Sequence, residues 1–164
     1  MSDIVTSKIA RAIVLALALA IAMPTVTHAF WPVTTQTSIL SRGFRDGHRG
    51  LDIAARRWTG VVPIANGTTV FAGWRRNCGG YQVWVSHGEG LYSAYYHLAR
   101  ETSYPGEEVE GGNEVIGYVG TTGCVTGSHL HVEVWRGYPW RAGSVRVNPW
   151  NYVLEGKFVP LRYR

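Results

Sequence analysis

Ser128-His129-Leu130-His131-Val132-Glu133-Val134 alternates polar and apolar residues. A period of two describes a half-buried strand, with His129, His131 and Glu133 on one face and Leu130, Val132 and Val134 on the other. Two imidazoles therefore look into the same space. A four-coordinate metal needs more donors than this pair, so another part of the chain has to supply them. The best match lies upstream in Gly47-His48-Arg49-Gly50-Leu51-Asp52-Ile53, where His48 and Asp52 are an even number of residues apart and share a face if the chain is extended. Gly47, Gly50 and the β-branched Ile53 favour a loop entering a strand over a helix.

The remainder of the chain sets the context. Its 164 residues suit one domain with a real core. Lys8 and Arg11 precede an apolar run from Ala12 to Met23 and a short polar end at Thr25-Val26-Thr27-His28-Ala29, the layout of a secretory signal peptide cut after Ala29. An uncleaved membrane anchor is the rival reading, but the run is shorter than the roughly 20 residues a spanning helix needs. Without Lys8, Arg11 and Asp3 the mature chain has 14 basic and 10 acidic residues, a charge of +4 that suits an anionic wall or membrane surface. It has no Lys/Arg-rich run, so a nucleic-acid partner is not expected. Cys78 and Cys124 fit an exported protein with one disulfide, the rival reading being two separate thiols or ligands to a structural metal.

Past residue 30 no sustained helical period occurs, and glycine, aromatic and β-branched residues are frequent. The expected class is all-β, a single antiparallel sheet or sandwich domain. Phe30 to Ser41 reads as a wrapping lead-in, Arg56 to Val62 as an inserted surface loop, and Thr68 to Ala72 as a short strand stopped by Gly73. Tyr81–Ser86 and Leu91–His97 form a hairpin across His87-Gly88-Glu89-Gly90, with Tyr95 and His97 expected on one face. His87 reads as a turn residue. Glu133 reads equally as an acceptor for one of the histidines or as a partly exposed strand residue. The tryptophans read mostly as core or edge packing, and Trp58 and Trp74, beside arginines, are the two kept as groove candidates.

These segments gather His48, Asp52, His97, His129 and His131 as a candidate cluster. Two His and one Asp would complete a catalytic zinc site with one open position, leaving two histidines for proton transfer. In their order, His48-Arg49-Gly50-Leu51-Asp52-Ile53-Ala54-Ala55, Tyr95-Tyr96-His97-Leu98, Ile116-Gly117-Tyr118-Val119-Gly120-Thr121-Thr122-Gly123 and Thr126 to Val134 resemble the motif set of the lysostaphin and LytM-type zinc endopeptidases of peptidoglycan. The likeness runs from about His48 to Pro149. It implies an open active-site groove, one zinc ion held by His48, Asp52 and His131, and His97 and His129 as catalytic histidines. Tyr95, expected on the face of His97, is the candidate for oxyanion support. The long Arg56–Val62 segment, Ser128 before the histidine pair and Cys124 in the preceding loop depart from the family pattern.

The resulting organisation is a signal peptide at 1–29, a lead-in at 30–47, a zinc metallopeptidase domain at 48–153 and a tail at 154–164. The expected protein is a monomeric, periplasmic or secreted endopeptidase acting on peptidoglycan peptides, without stable membrane insertion after signal cleavage and with room for a regulatory protein partner. The alternative is a non-catalytic wall-binding scaffold or activator of another hydrolase with the same fold.

Overall fold

The structure, a computed structural model, describes residues 29–152. Most of the expected signal peptide and the whole 154–164 tail lie outside the described residues. Ten strands follow in chain order: β1 (Ile39–Arg42), β2 (Leu51–Ala54), β3 (Gly60–Val61), β4 (Gly67–Arg75), β5 (Gly80–Ser86), β6 (Leu91–Glu101), β7 (Glu108–Val109), β8 (Gly117–Val119), β9 (His129–Arg136) and β10 (Val145–Val147). A 3-10 turn at Pro149–Asn151 follows, and no α-helix occurs among the described residues. All strand pairs are antiparallel, in the order β1-β2-β9-β6-β5-β4-β7. β10 extends the far half of β9, and β8 joins the end of β6 and pairs with β3. The all-β expectation holds.

The alternation in β9 sorts its side chains as its sequence dictates. Leu130, Val132 and Val134 are fully buried with Ile53, Val83, Val85, Leu98 and Val119 in the main core. Burying each such side chain contributes about 1.5–3 kcal/mol. The opposite face carries His129, His131 and Glu133 and then a smaller apolar cluster of Trp84, Ala94, Tyr96 and Trp135. One face of the sheet is thus core, and the other carries polar chemistry.

Three segments differ from their sequence reading. The lead-in is part of the body: Trp31 and Val33 are fully buried, Phe30 N–H donates to the Ile64 carbonyl at 2.7 Å, and Ile39–Arg42 forms an edge strand on β2. Only the first part of Arg56–Val62 is a loop, because Val61 and Val62 are fully buried and Gly60–Val61 pairs with β8. β4 does not stop at Gly73 but crosses it and pairs through Arg75 with Gly80. In each case long-range pairing outweighs the local turn signal.

His87 ties the β5–β6 turn to the chain before β4. Its Nδ1–H donates to the Asn66 carbonyl at 2.8 Å, and Nε2 lies 2.8 Å from Ser93 Oγ. Burial pushes the His87 pKa below the ordinary 6.5, partly offset by the Asn66 bond. The unfolded chain therefore takes up a proton at a higher pH than the folded one, so this contribution to stability is full above about pH 6.5 and is lost as pH falls below it. His87→Gln is expected to lower the urea midpoint at pH 7.5, and the gap to wild type is expected to narrow by pH 5.

Candidate metal centre and cleft

The β2–β9 register sets Asp52 opposite His131. Both side chains leave the sheet on the same face, and Asp52 Oδ1 lies 2.6 Å from His131 Nδ1. His48 is held by a bridge to Arg45 just before β2 and reaches the same oxygen, with Nε2 at 3.1 Å. One donor atom from each of these three residues lies within 4.8 Å of the others. The His48 Nδ1–H donates to the Gly43 carbonyl at 2.8 Å, which turns the Nε2 lone pair inward. That Nε2 is buried and has no hydrogen-bond partner. A buried ring nitrogen aimed at a carboxylate and a second imidazole fits a zinc ion, which takes N and O donors in a tetrahedral set.

Charge agrees with this geometry. Burial pushes the Asp52 carboxyl up, but the His131 hydrogen bond and the nearby histidines outweigh it and hold the pKa at about 2. Asp52 is therefore an anion at neutral pH. Gly50 leaves the space that His131 needs, since an added Cβ would lie 2.7 Å from both His131 Nε2 and the Val132 carbonyl.

His97 and His129 stand beside this set, their rings 5.0 Å apart. His97 Nδ1 lies 2.9 Å from the Thr122 carbonyl, and His129 Nδ1 lies 3.0 Å from the Gly127 carbonyl. A carbonyl only accepts, so each Nδ1 carries a proton and donates it, which leaves each Nε2 for other contacts. His129 Nε2 is 3.8 Å from Asp52 Oδ1. Burial pushes the His97 pKa down to about 4, against a smaller raising effect of the Thr122 bond. It is a neutral proton acceptor throughout the physiological range.

These residues share one cleft of about 470 Å³ whose walls include Arg42, Asn77, Cys78, Cys124, Thr126, Trp140 and Arg146. A β-rich scaffold with this donor set and two poised imidazoles is the layout of a metallopeptidase. The sequence pattern of peptidase family M23 matches residues 46–149. The chain belongs to peptidase family M23. The DD-carboxypeptidase/endopeptidase Mpg of Neisseria meningitidis is 39% identical over 107 residues, covering 65% of this chain and 23% of that protein. Lysostaphin of Staphylococcus simulans is 34% identical over 87 residues, 52% of this chain and 17% of that protein. This M23 chain thus spans less than a quarter of either relative. The crystal structure of a zinc containing peptidase from Vibrio cholerae matches with a TM-score of 0.60 at 25% identity, over 66% of this chain and 37% of that one.

The M23 site departs from its sequence reading at Tyr95. Tyr95 is fully buried on the core face, where its hydroxyl accepts from Ile64 N–H at 2.7 Å and lies 2.7 Å from Ser93 Oγ. It does not share a face with His97 and cannot reach an oxyanion in the cleft. The cause is a β-bulge: between the pairs Val83–Tyr95 and Tyr81–Leu98, Gln82 faces two residues, Tyr96 and His97. His97 takes a left-handed φ of 63°, and alternation breaks there. Tyr96 and His97 both line the cleft.

Trp58 and Trp74 are exposed but do not line the cleft, whereas Trp140 does. Glu133 is buried and is the acceptor at the centre of a network. Tyr96 Oη–H donates at 2.6 Å, Trp135 Nε1–H at 2.9 Å and Arg146 at 3.1 Å, and His131 Nε2 lies 3.4 Å away. This places a carboxylate behind the ring whose Nδ1 faces Asp52.

Two outcomes follow from this geometry. Tyr95→Phe leaves the Ile64 N–H unsatisfied and is expected to cost about 1–3 kcal/mol in denaturant unfolding, with zinc content unchanged. Glu133→Gln is expected to weaken zinc affinity by about 10–100-fold in a competition titration with a chromogenic chelator.

Proposed function

We propose that this chain is an exported zinc endopeptidase that hydrolyses peptide bonds in peptidoglycan. The observation that carries this reading is the complete His48, Asp52 and His131 donor set beside two imidazoles whose Nε2 atoms face the same cleft. His48, Asp52 and His131 would hold the zinc ion, which would supply a Lewis acid for the scissile carbonyl and would lower the pKa of a water to about 7.

The chain's own residues do the remainder. Either His97 or His129 would take the proton of the attacking water at Nε2, with His97 entering as a neutral acceptor, and the ring so protonated would return the proton to the leaving amine. The two backbone carbonyls at Thr122 and Gly127 accept from the Nδ1–H groups and hold the orientation of each ring. Arg42 at the cleft wall favours wall peptides bearing carboxylates. The sheet floor and loop walls leave an open trough suited to an extended peptide.

Support also comes from the peptidase family and from the Neisseria relative, a DD-carboxypeptidase/endopeptidase. Mature protein incubated with purified peptidoglycan is expected to release fragments cut at peptide bonds, read by mass spectrometry. Release stops with a zinc chelator and returns with added zinc. His97→Ala and His129→Ala are each expected to lower kcat by about 10²–10⁴-fold with zinc content unchanged. A folded, zinc-loaded protein that releases nothing from several wall chemistries would move the reading to a wall-binding scaffold or activator. Export is checked by N-terminal sequencing, expected to begin at Phe30.

A further inference from the structure

One wall of the cleft is built from two loops, 77–79 between β4 and β5 and 121–124 after β8. The Cys78–Cys124 disulfide joins them across 46 residues of sequence, and both cysteines line the cleft and are exposed. No step of the proposed chemistry uses them. The backbone zips beside the bridge, with Cys124 N–H donating to the Cys78 carbonyl at 2.9 Å. Tyr81 N–H donates to Thr122 Oγ1 at 3.1 Å, and Thr122 Oγ1–H donates to the Leu98 carbonyl at 2.7 Å. Gly80, at a φ of 64°, lies so close that an added Cβ would run into Thr122 and Gly123.

Both tied loops end on His97. Its backbone N–H donates to the Gly79 carbonyl at 2.8 Å and its Nδ1–H to the Thr122 carbonyl at 2.9 Å, one bond from each loop. His97 is itself in the left-handed region, which a histidine keeps only where its surroundings impose it. The metal donors are held elsewhere. His48 bonds the Gly43 carbonyl, and His131 lies between Asp52 and Glu133.

We propose that the Cys78–Cys124 disulfide positions His97 for catalysis, so that its reduction switches turnover off while the metal centre stays assembled. The proposal rests on the metallopeptidase reading. Reduction by a water-soluble phosphine takes two electrons from phosphorus and two protons and an oxygen from water. The S–S bond breaks, two thiols form, and the phosphine leaves as its oxide. Freed of the bridge, the loops separate and His97 loses its fixed aim. A misplacement of about 1 Å is worth about 10²-fold in rate.

The test compares wild type with the doubly substituted Cys78→Ser, Cys124→Ser chain. The expected result is a kcat lower by about 10²-fold, a KM within about threefold, and an unchanged ratio of zinc to protein. Amide exchange is expected to quicken at His97 and Cys124 and to stay unchanged at Leu130 and Val132. In a His97→Ala background the cysteine substitutions are expected to cost no further rate. A multiplicative loss there, unchanged kcat in the wild-type background, or loss of zinc would overturn the proposal.

If the double variant does not fold, the same measurements are made on wild type reduced in place by the phosphine and reoxidised, with activity expected to fall and return. If oxidised, zinc-loaded wild type cuts no wall peptide, the metallopeptidase reading fails, and the catalytic role proposed for the disulfide fails with it. Exchange at His97 and Cys124 then still reports whether the bridge holds that residue.

Discussion

The Asp52–His131 pairing across β2 and β9 is the contact on which the rest depends. A backbone register fixes it, and the period of two then places His129, Glu133 and Trp135 on the same face. A slip of one residue in β9 would send His131 into the core, away from Asp52, and bring Leu130 and Val132 out. The apolar face guards against this, because Leu51, Ile53, Leu130 and Val132 are fully buried together. The same hydrophobic pattern that folds the sheet therefore sets the candidate metal centre by bringing these two side chains together.

Around that contact, bulges aim side chains that regular alternation would misdirect. On β6 the extra residue turns both Tyr96 and His97 toward the cleft. On β1 the pairing moves from Leu40–Ile53 to Arg42–Asp52, which carries Arg42 to the metal side of the sheet edge. Bulges interrupt ladders, and the structure compensates locally. Gly79 and Thr122 take the His97 bonds, while Ser41 Oγ–H donates to the Asp52 carbonyl at 3.1 Å.

The floor beneath the histidines is unusually polar for a buried face. Tyr96, Trp135 and Arg146 all donate to Glu133, and the Trp140 indole donates to the Tyr96 hydroxyl at 3.2 Å. Burial pushes the Glu133 carboxyl up, but the His131 bond and charge, the Tyr96 bond and Arg146 outweigh it, so it remains an anion. The network connects the metal centre to the aromatic cluster and fixes the orientation of His131 from behind.

Much of this was legible along the chain. The His129 strand, the β5–β6 hairpin, the even spacing of His48 and Asp52 and the all-β class follow from periods and turn residues, which are local properties. Motif order pointed to the family for the same reason. The bulge at His97 was not legible: Tyr95-Tyr96-His97 scans as regular alternation, and only pairing with Gln82 shows which tyrosine enters the cleft. Trp140 gives no signal by position, because a loop after β9 folds back over the floor to place it. Trp31 and Val33 read as a lead-in, yet the core takes them up because the apolar face of the sheet needs covering. The sequence by itself determined the strands, the donor types and the family, because these rest on local pattern. Tertiary structure alone decided which atoms face the cleft, because that depends on register and bulges between segments far apart in the chain.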